Sequence, residues 1–402
     1  MMSLIRSQGI EQPGKTGTPL LALGFRPFYL LAALFSAAAL PLWISMYIGA
    51  VHVDGYLGGF AWHSHEMLFG FAAAVIAGFL LTAVRNWTGL PTLSGAMLGA
   101  LAAVWVLARV LVVTGPGPMA AVVDAAFLPA LGLAVALPIW RSRNTRNFKI
   151  LGVVAALAVL NAVHHLAYLE KLPAGSASIA TRLALDLITL LIAIVGGRVI
   201  PAFTANAITG AEPKSIAVLE FLSFGTLLAI LAADIAAAWY ALPSMIWVVL
   251  LAAAALAHGI RLALWQPART RGNALLAMLP VAYGWIPVAL ALRALSHAAV
   301  VPATAATHAL TIGVMGSMML AMMMRSALGH TGRPLVASRA DCTAFALAQL
   351  AAAVRVLGVA VPALPYRETA IAAGILWSLA FTTFLFRYWP VLTRPRIDGR
   401  AG

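Results

Sequence analysis

Charged residues are scarce in this chain. Only 9% of its 402 residues are charged and 62% are apolar, whereas soluble domains have about 25% charged and about 45–50% apolar residues. So few charges cannot cover a surface that faces water, so the apolar residues must face lipid as well as one another. Long apolar runs span lipid as helices, because every backbone polar group must pair within its own segment. The composition therefore excludes a soluble protein and predicts an all-α polytopic integral membrane protein.

Acidic residues and cysteine are also in short supply. There are 12 acidic residues against 26 Lys and Arg, which gives a net charge of +14. The bases lie in short loops between apolar runs, so the charge reflects membrane topology and does not indicate nucleic-acid binding. Cys342 is the single cysteine, which excludes an internal disulfide and a CxxC site. Residues 1–24 lack the apolar stretch of a cleavable signal peptide, so we expect a cytoplasmic segment followed by a helix that serves as the insertion signal.

Twelve apolar runs are long enough to cross a bilayer, which takes about 20 residues. The predicted spans are 25–49, 60–84, 92–113, 120–140, 149–169, 180–200, 215–238, 243–264, 274–297, 302–326, 340–361 and 368–391. Segments on the side of the N-terminus carry most of the 26 bases, so the positive-inside rule puts both ends in the cytoplasm. We predict one transmembrane domain in a bacterial inner membrane, with the helix bundle over residues 25–391 and a cytoplasmic tail at 392–402.

Histidines concentrate at the predicted outer side of the bundle. His63 and His65 open the second span, His164 and His165 close the fifth, and His308 lies in the second turn of the tenth. Imidazoles from separate helices at one depth can clamp a haem iron. We therefore predict metal ligands among His63, His65 and His308. The adjacent pair is a second candidate metal site, which a polar helix end at the membrane interface explains equally well.

The densest group of polar residues surrounds the His-x-His of the second span. Residues at i and i+2 point about 200° apart on a helix, given about 100° per residue, so His63 and His65 cannot share one metal on a regular helix. They can serve two centres, or one binds metal while the other forms hydrogen bonds. Glu66 follows His63 by three residues and is predicted to share its face, either orienting the imidazole or ligating metal itself. The alternative is a polar helix entrance at the interface, with Trp62 as an aromatic anchor.

Two further sets of residues stand out. Arg293 and Arg355 lie within predicted spans near the outer side, where a charged side chain is costly and usually faces a functional interior. Snorkelling to the interface is the alternative for Arg355.

On the inner side, residues 196–206 and 325–334 are rich in Gly, Pro and hydrogen-bond donors and are predicted to be turns. They either bind an anion or form a structural latch between loops, and their position favours the latch.

Seven blocks of the sequence form a recognisable series: residues 24–32, 62–71, 77–84, 86–89, 197–206, 308–313 and 328–334. Through these blocks, which run in family order, the sequence resembles the NnrS family of bacterial membrane proteins. The histidine-bearing block and the Leu-Gly-His-Thr-Gly-Arg block are long and specific. Further motif residues of the seven blocks are Arg26, Asn86, Arg198, Asn206, His330 and Arg333. Tyr29 and Arg85 depart from the family pattern, and neither is a candidate ligand. For the haem that the resemblance implies, Arg293 and Arg355 could neutralise the propionates.

The resemblance implies a haem- and copper-containing inner-membrane protein associated with nitric oxide, in denitrification or in resistance to nitrosative stress. A haem-dependent oxidoreductase acting on nitric oxide is one activity that it allows, and the electron donor is left open. Twelve helices with haem and copper also resemble the haem–copper oxidase bundle, although His-x-His here lies on helix 2 and the single histidine on helix 10. The alternatives are a transporter of a small solute and a copper or haem assembly factor.

Overall fold

A computed structural model describes residues 18–173 and 175–399 of the chain. Within these ranges it has twelve helices long and apolar enough to cross a membrane, which confirms the predicted all-α membrane bundle. They are α1 (Phe25–Tyr47), α2 (Gly59–Thr88), α3 (Gly95–Thr114), α4 (Gly117–Arg141), α5 (Thr145–Tyr168), α6 (Ser176–Ala207), α7 (Ala217–Ala236), α8 (Ser244–Leu264), α9 (Ala274–His297), α10 (Ala303–His330), α11 (Arg339–Ala360) and α12 (Tyr366–Thr393).

Three of these helices form the centre of the bundle. In α2, 94% of the most apolar stretch is buried against the rest of the chain, as is 72% in α6 and in α10, compared with 22% in α7. The other helices surround this trio, with α1 packed against α2 and α12, and α10 against α9 and α12. Central helices touch protein on most sides, so they can carry polar side chains that a lipid-facing helix could not.

Both ends of the described chain meet on one face of the bundle, here called the terminal face. Nη1 of Arg26, at the start of α1, donates to the carbonyl oxygens of Leu392 at 2.9 Å and Arg394 at 2.7 Å. Nη1 of Arg396 donates to the carbonyl of His330 at 2.8 Å, so the segment after α12 packs on the end of α10. The opposite face, here called the far face, carries the starts of α2 and α10 and the end of α5.

The helices α6 and α10 extend further toward the terminal face than predicted. The prediction of turns at 196–206 is wrong, because Arg198 and Asn206 lie on α6, and α10 continues through His330 before the chain turns. Gly and Pro are tolerated inside membrane helices where neighbouring helices satisfy the freed backbone groups. Close packing also favours glycine at position 197, since a Cβ there would overlap the guanidinium of Arg261 on α8.

The latch between loops stays a prediction, but Arg198 supplies one contact between helices at the terminal face. Its Nη1 donates to Oδ1 of Asn147 at 2.8 Å, which ties the end of α6 to the start of α5. A second link connects the loops that follow α6 and α8, because the backbone N–H of Lys214 donates to the carbonyl of Leu264 at 3.0 Å. These contacts hold the loops of the terminal face together.

The orientation inferred from the charges can be tested with single cysteines. In a Cys342→Ser background, His52→Cys places a thiol on the far face, where the His52 side chain is 88% exposed. Thr209→Cys places one on the terminal face, in the exposed loop after α6. A membrane-impermeant maleimide should label the first variant in intact cells and the second only after permeabilisation. The reverse pattern would contradict the orientation with both ends in the cytoplasm.

Candidate functional site

The two histidines of α2 face different surroundings. The ring of His63 stacks on Trp43 of α1, with 4.3 Å between the ring centroids. The ring of His65 lies between His164 and His165 of α5, at centroid distances of 4.9 and 4.7 Å. This divergence follows from the i, i+2 spacing on a helix. The structure therefore has two candidate sites on either side of α2.

The helices that carry His65 and His308 change their backbone hydrogen bonding directly after those residues. In α2 a π-helical segment, Glu66–Ala72, follows His65, and in α10 a π-helical segment, Ala309–Gly316, follows His308. π-Helical segments are rare in proteins, and many of those that occur lie at functional sites. Side chains from neighbouring helices bond to their backbone, as Nε1 of Trp105 donates to the carbonyl of Gly70 at 3.1 Å.

The first site is a cavity near the far face, here called the far cavity. It has a volume of about 250 Å³, where a single water takes roughly 10–15 Å³ on the same measure. Its walls are largely apolar, and His63, His308, Arg355 and Tyr366 bring nitrogen and oxygen donors to it. The other lining residues on which the argument depends are Leu40, Trp43, Met67, Leu68, Met315 and Trp377. The far cavity thus brings together two of the three histidines predicted as principal ligands.

Hydrogen bonds orient the imidazole of His308. Its Nδ1 lies 2.8 Å from the carbonyl oxygen of Thr304, one turn earlier, so Nδ1 is assigned as the donor. Its Nε2 is then the acceptor, and it faces Nε of Arg355 at 3.3 Å. Bonding of one ring nitrogen to a backbone carbonyl is the arrangement that holds a metal-ligating histidine in place.

Arg355 brings a positive charge into the far cavity. The side chain is only 5% exposed, and Nη2 donates to the hydroxyl of Tyr366 at 2.7 Å. Nη1 is buried and has no hydrogen-bond partner among the described residues, and no Asp or Glu is among the described residues lining the cavity. A buried cation without a counter-charge is costly, so this wall suits an anionic group.

The second site is a fully buried group of residues, here called the α2–α5 cluster: His65, Glu66, Arg109, Asp124, Asn161 and His165. Oδ2 of Asp124, on α4, lies 3.2 Å from Nε2 of His65 and 2.8 Å from Nε2 of His165. The candidate ligand atoms of these three residues all lie within 4.8 Å of one another. Two imidazoles and a carboxylate at this spacing can hold a metal ion.

The α2–α5 cluster needs one more positive charge than its arginine supplies. Arg109 of α3 pairs with Oε1 of Glu66 at 2.8 Å and also with Asp124, so one guanidinium faces two carboxylates. Both ring nitrogens of His65 face oxygens, with Nδ1 at 2.9 Å from Glu66 and Nε2 at 3.0 Å from Oδ1 of Asn161. A bound cation would balance this arrangement.

Tyr56, in the loop before α2, closes the cluster toward the far face. Its hydroxyl forms a hydrogen bond with Nδ1 of His165, which fixes the orientation of that ring. Burial raises the pKa of Tyr56, so its phenol stays neutral and can both donate and accept. His164 lies beside His65, and its Nδ1 is buried without a partner among the described residues.

Several predicted residues lie elsewhere than expected. Glu66, predicted to share the face of His63, bonds instead to His65 and Arg109. Arg293 is not among the described residues lining the far cavity, because its guanidinium pairs with Asp186 at 3.1 Å and with Asp234. The sequence reasoning also missed Asp124, although an acidic residue inside an apolar span is a signal of function.

The terminal face gathers the remaining motif residues. Asn86 and His330 line a second large cavity there. Arg333 follows α10, where burial and the nearby guanidiniums of Arg387 and Arg394 lower its pKa. Asn206 is exposed at the end of α6. This face is therefore strongly basic.

The chain that forms these two sites can be compared with known protein families. The family model described as NnrS protein matches residues 19–396, which is most of the chain. The chain belongs to the NnrS family. A search of curated proteins finds no match. The range matched to NnrS contains every residue of the far cavity and of the α2–α5 cluster.

Removing the guanidinium of Arg109 should strongly destabilise this NnrS family member. Arg109→Met leaves Glu66 and Asp124 buried without their cation, which costs about 3–5 kcal/mol for a buried pair. The melting temperature of the purified protein in detergent, followed by tryptophan fluorescence, should fall accordingly. Arg182→Met is the matched control, because that side chain is 47% exposed and its partner Asp234 keeps Arg293. Equal small shifts in both variants would show that the cluster does not depend on this ion pair.

Proposed function

We propose that this protein binds haem in the far cavity and handles nitric oxide in the inner membrane. The observation that carries the proposal is that His63 of α2 and His308 of α10 line one cavity together with the buried guanidinium of Arg355. Membership of the NnrS family supplies the expectation of haem and of nitric oxide. The positive-inside pattern supports the inner membrane as the location and the far face as the periplasmic side.

The residues of the far cavity fit a haem group. Haem needs axial ligands, apolar walls and cations for its propionates, and imidazole is a common protein ligand of its iron. The cavity offers two imidazoles from different helices, walls such as Leu68 and Trp377, and an arginine whose Nη1 lacks a partner among the described residues. The buried Nδ1 of His63 also lacks one in the described part of the chain.

Each of these residues has a defined part in the proposal. His308 would hold haem through Nε2, since its Nδ1 is bound to Thr304. The hydrogen bond from Nε of Arg355 to this Nε2 would then be released, which would free the guanidinium to bind a propionate. Trp43 stacks on His63 and limits the orientations of that ring. When bound, the haem would supply an iron that takes a small diatomic ligand such as nitric oxide in place of one of the two imidazoles. The apolar walls exclude water and let an apolar gas arrive from the lipid.

A transition metal, with copper as the expected ion, is proposed for the α2–α5 cluster. Imidazole nitrogens and carboxylate oxygen suit copper, iron and zinc. His65, Asp124 and His165 would hold the ion, and Glu66 and Tyr56 would orient the two imidazoles through the nitrogen that does not bind metal. A divalent ion would also supply the positive charge that the cluster lacks.

The alternative functions receive less support. A transporter of a polar solute needs polar groups near the middle of the membrane. The space between α2, α6 and α10 at that level is a groove whose wall presents only apolar atoms. The likeness to the haem–copper oxidases and an assembly role stay predictions.

The haem proposal can be tested by absorption spectroscopy of protein purified from haem-replete cells. We expect a Soret band that shifts when nitric oxide is added anaerobically. His63→Ala and His308→Ala should each lose haem or change its spin state, because each removes a proposed ligand. His297→Ala is the control, since that ring stacks on Trp247 and is not among the described residues lining the far cavity. A folded, colourless parent protein would refute the proposal, and an unchanged spectrum in both variants would refute the ligand assignment.

The second site can be tested by measuring metal content with mass spectrometry. The parent protein should carry copper or another transition metal in addition to haem iron. His65→Ala and His165→Ala should lose it, whereas His52→Ala in the exposed loop should keep it. A parent protein that holds only haem iron would refute the metal proposal for the cluster.

A further inference from the structure

A cavity at the terminal face contains a buried arginine that the proposed function does not use. This terminal cavity has a volume of about 250 Å³ and lies between α2, α6 and the end of α10. Its polar lining comes from Thr82, Asn86 and Trp87 on α2 and from Arg325, Ser326 and His330 on α10. It is separate from the far cavity, with which it shares no lining residue.

Arg325 is the decisive residue of the terminal cavity. Its side chain is 8% exposed, and its guanidinium carbon lies 4.1 Å from the centre of the Phe203 ring on α6. Nη1 is buried and has no hydrogen-bond partner among the described residues. No carboxylate is among the described residues lining the cavity. The aromatic ring partly stabilises the cation but gives the N–H groups of Nη1 no acceptor. A negatively charged oxygen that accepts a hydrogen bond therefore fits this position.

The charge around the terminal cavity also favours an anion. Arg333 lies just beyond the end of α10, and burial together with the nearby Arg387 and Arg394 lowers its pKa, which reflects a cluster of like charges. Basic pockets between transmembrane helices on the cytoplasmic side are typical binding sites for anionic lipid headgroups.

An apolar groove continues from the terminal cavity toward the middle of the bundle. The two share Tyr29, Phe79, Val199 and Met322, so they are adjoining spaces. The groove has a volume of about 60 Å³, lies between α2, α6 and α10, and its wall presents only apolar atoms. Its lining reaches Met318, seven residues before Arg325, which is about 10 Å along the helix at about 1.5 Å per residue. Half-buried side chains such as Phe79 and Val199 border it, so the groove is not sealed inside the bundle.

We propose that the terminal cavity and this groove together bind one membrane phospholipid with a net anionic headgroup. The phosphate oxygen meets Nη1 of Arg325, and the first part of an acyl chain lies in the groove along α6 and α10. A small anion would leave the groove without a role, and a neutral lipid would leave the charge of Arg325 without a partner. The site does not depend on haem or on the α2–α5 cluster.

The first test measures lipid retention. Native mass spectrometry of the purified full-length protein should show a retained phospholipid, and added phosphatidylglycerol should bind more tightly than phosphatidylcholine. Arg325→Met should weaken phosphatidylglycerol binding by about tenfold or more, the value of a hydrogen bond to a charged group, and Arg325→Lys should keep part of it. Arg141→Met is the matched control, because Arg141 is an exposed arginine in the last turn of α4 on the same face.

The second test separates headgroup from tail. Val199→Trp fills the junction of groove and cavity without changing any charge and should also release the lipid. Inorganic phosphate alone should neither raise the melting temperature nor displace the lipid. Equal retention in the parent and Arg325→Met would overturn the proposal. So would displacement by phosphate alone, which indicates a small-anion site, or equal binding of a neutral quinone analogue. An unchanged Soret band in these variants would show that the two sites are independent.

Discussion

A buried charge in a membrane bundle must lie within reach of an opposite charge, and this constraint organises most of the structure. Arg261 of α8 meets it through two bonds to Glu220 of α7, at 2.9 and 2.5 Å. Arg293 meets it with Asp186 and Asp234, and Arg109 with Glu66 and Asp124. These networks join neighbouring helices where the hydrophobic effect gives no preference between protein and lipid contacts.

Arg325 and Arg355 are buried arginines that line cavities against the central helices, and no carboxylate is among the described residues lining either cavity. Arg355 lies in the far cavity and Arg325 in the terminal cavity, each with a nitrogen that has no partner in the described part of the chain. The cost of such a charge is lowered by a bound anion. The same physical reasoning supports both proposals, a haem propionate beside Arg355 and a lipid phosphate beside Arg325.

The histidines depend on helices that the charge networks hold in place. A π-helical segment follows both His65 and His308, and glycines in or beside it allow large rings to approach the backbone. A Cβ at Gly313 would overlap the ring of Trp285, and one at Gly316 the ring of Trp377. Since Trp377 also lines the far cavity, the packing of α10 and α12 shapes the candidate haem site.

Much of this architecture was predictable from the sequence. The number of helices follows from the length of the apolar runs, and the depth of the histidines follows from their positions in those runs. The divergence of His63 and His65 follows from helical periodicity. The ends of α6 and α10 were not predictable, because Gly and Pro mark turns in water but are accommodated where neighbouring helices satisfy the backbone.

Composition and local periodicity specify a twelve-helix membrane bundle and the level at which imidazoles gather, and the seven sequence blocks specify its family. Which groups meet depends on the tertiary structure. It joined His308 to Arg355, placed Asp124 between His65 and His165, and gave Glu66 to Arg109 rather than to His63. Hydropathy specifies that a helix lies in the membrane but not which helix lies beside it. The choice of neighbours depends on side-chain packing and charge pairing between segments distant in the chain.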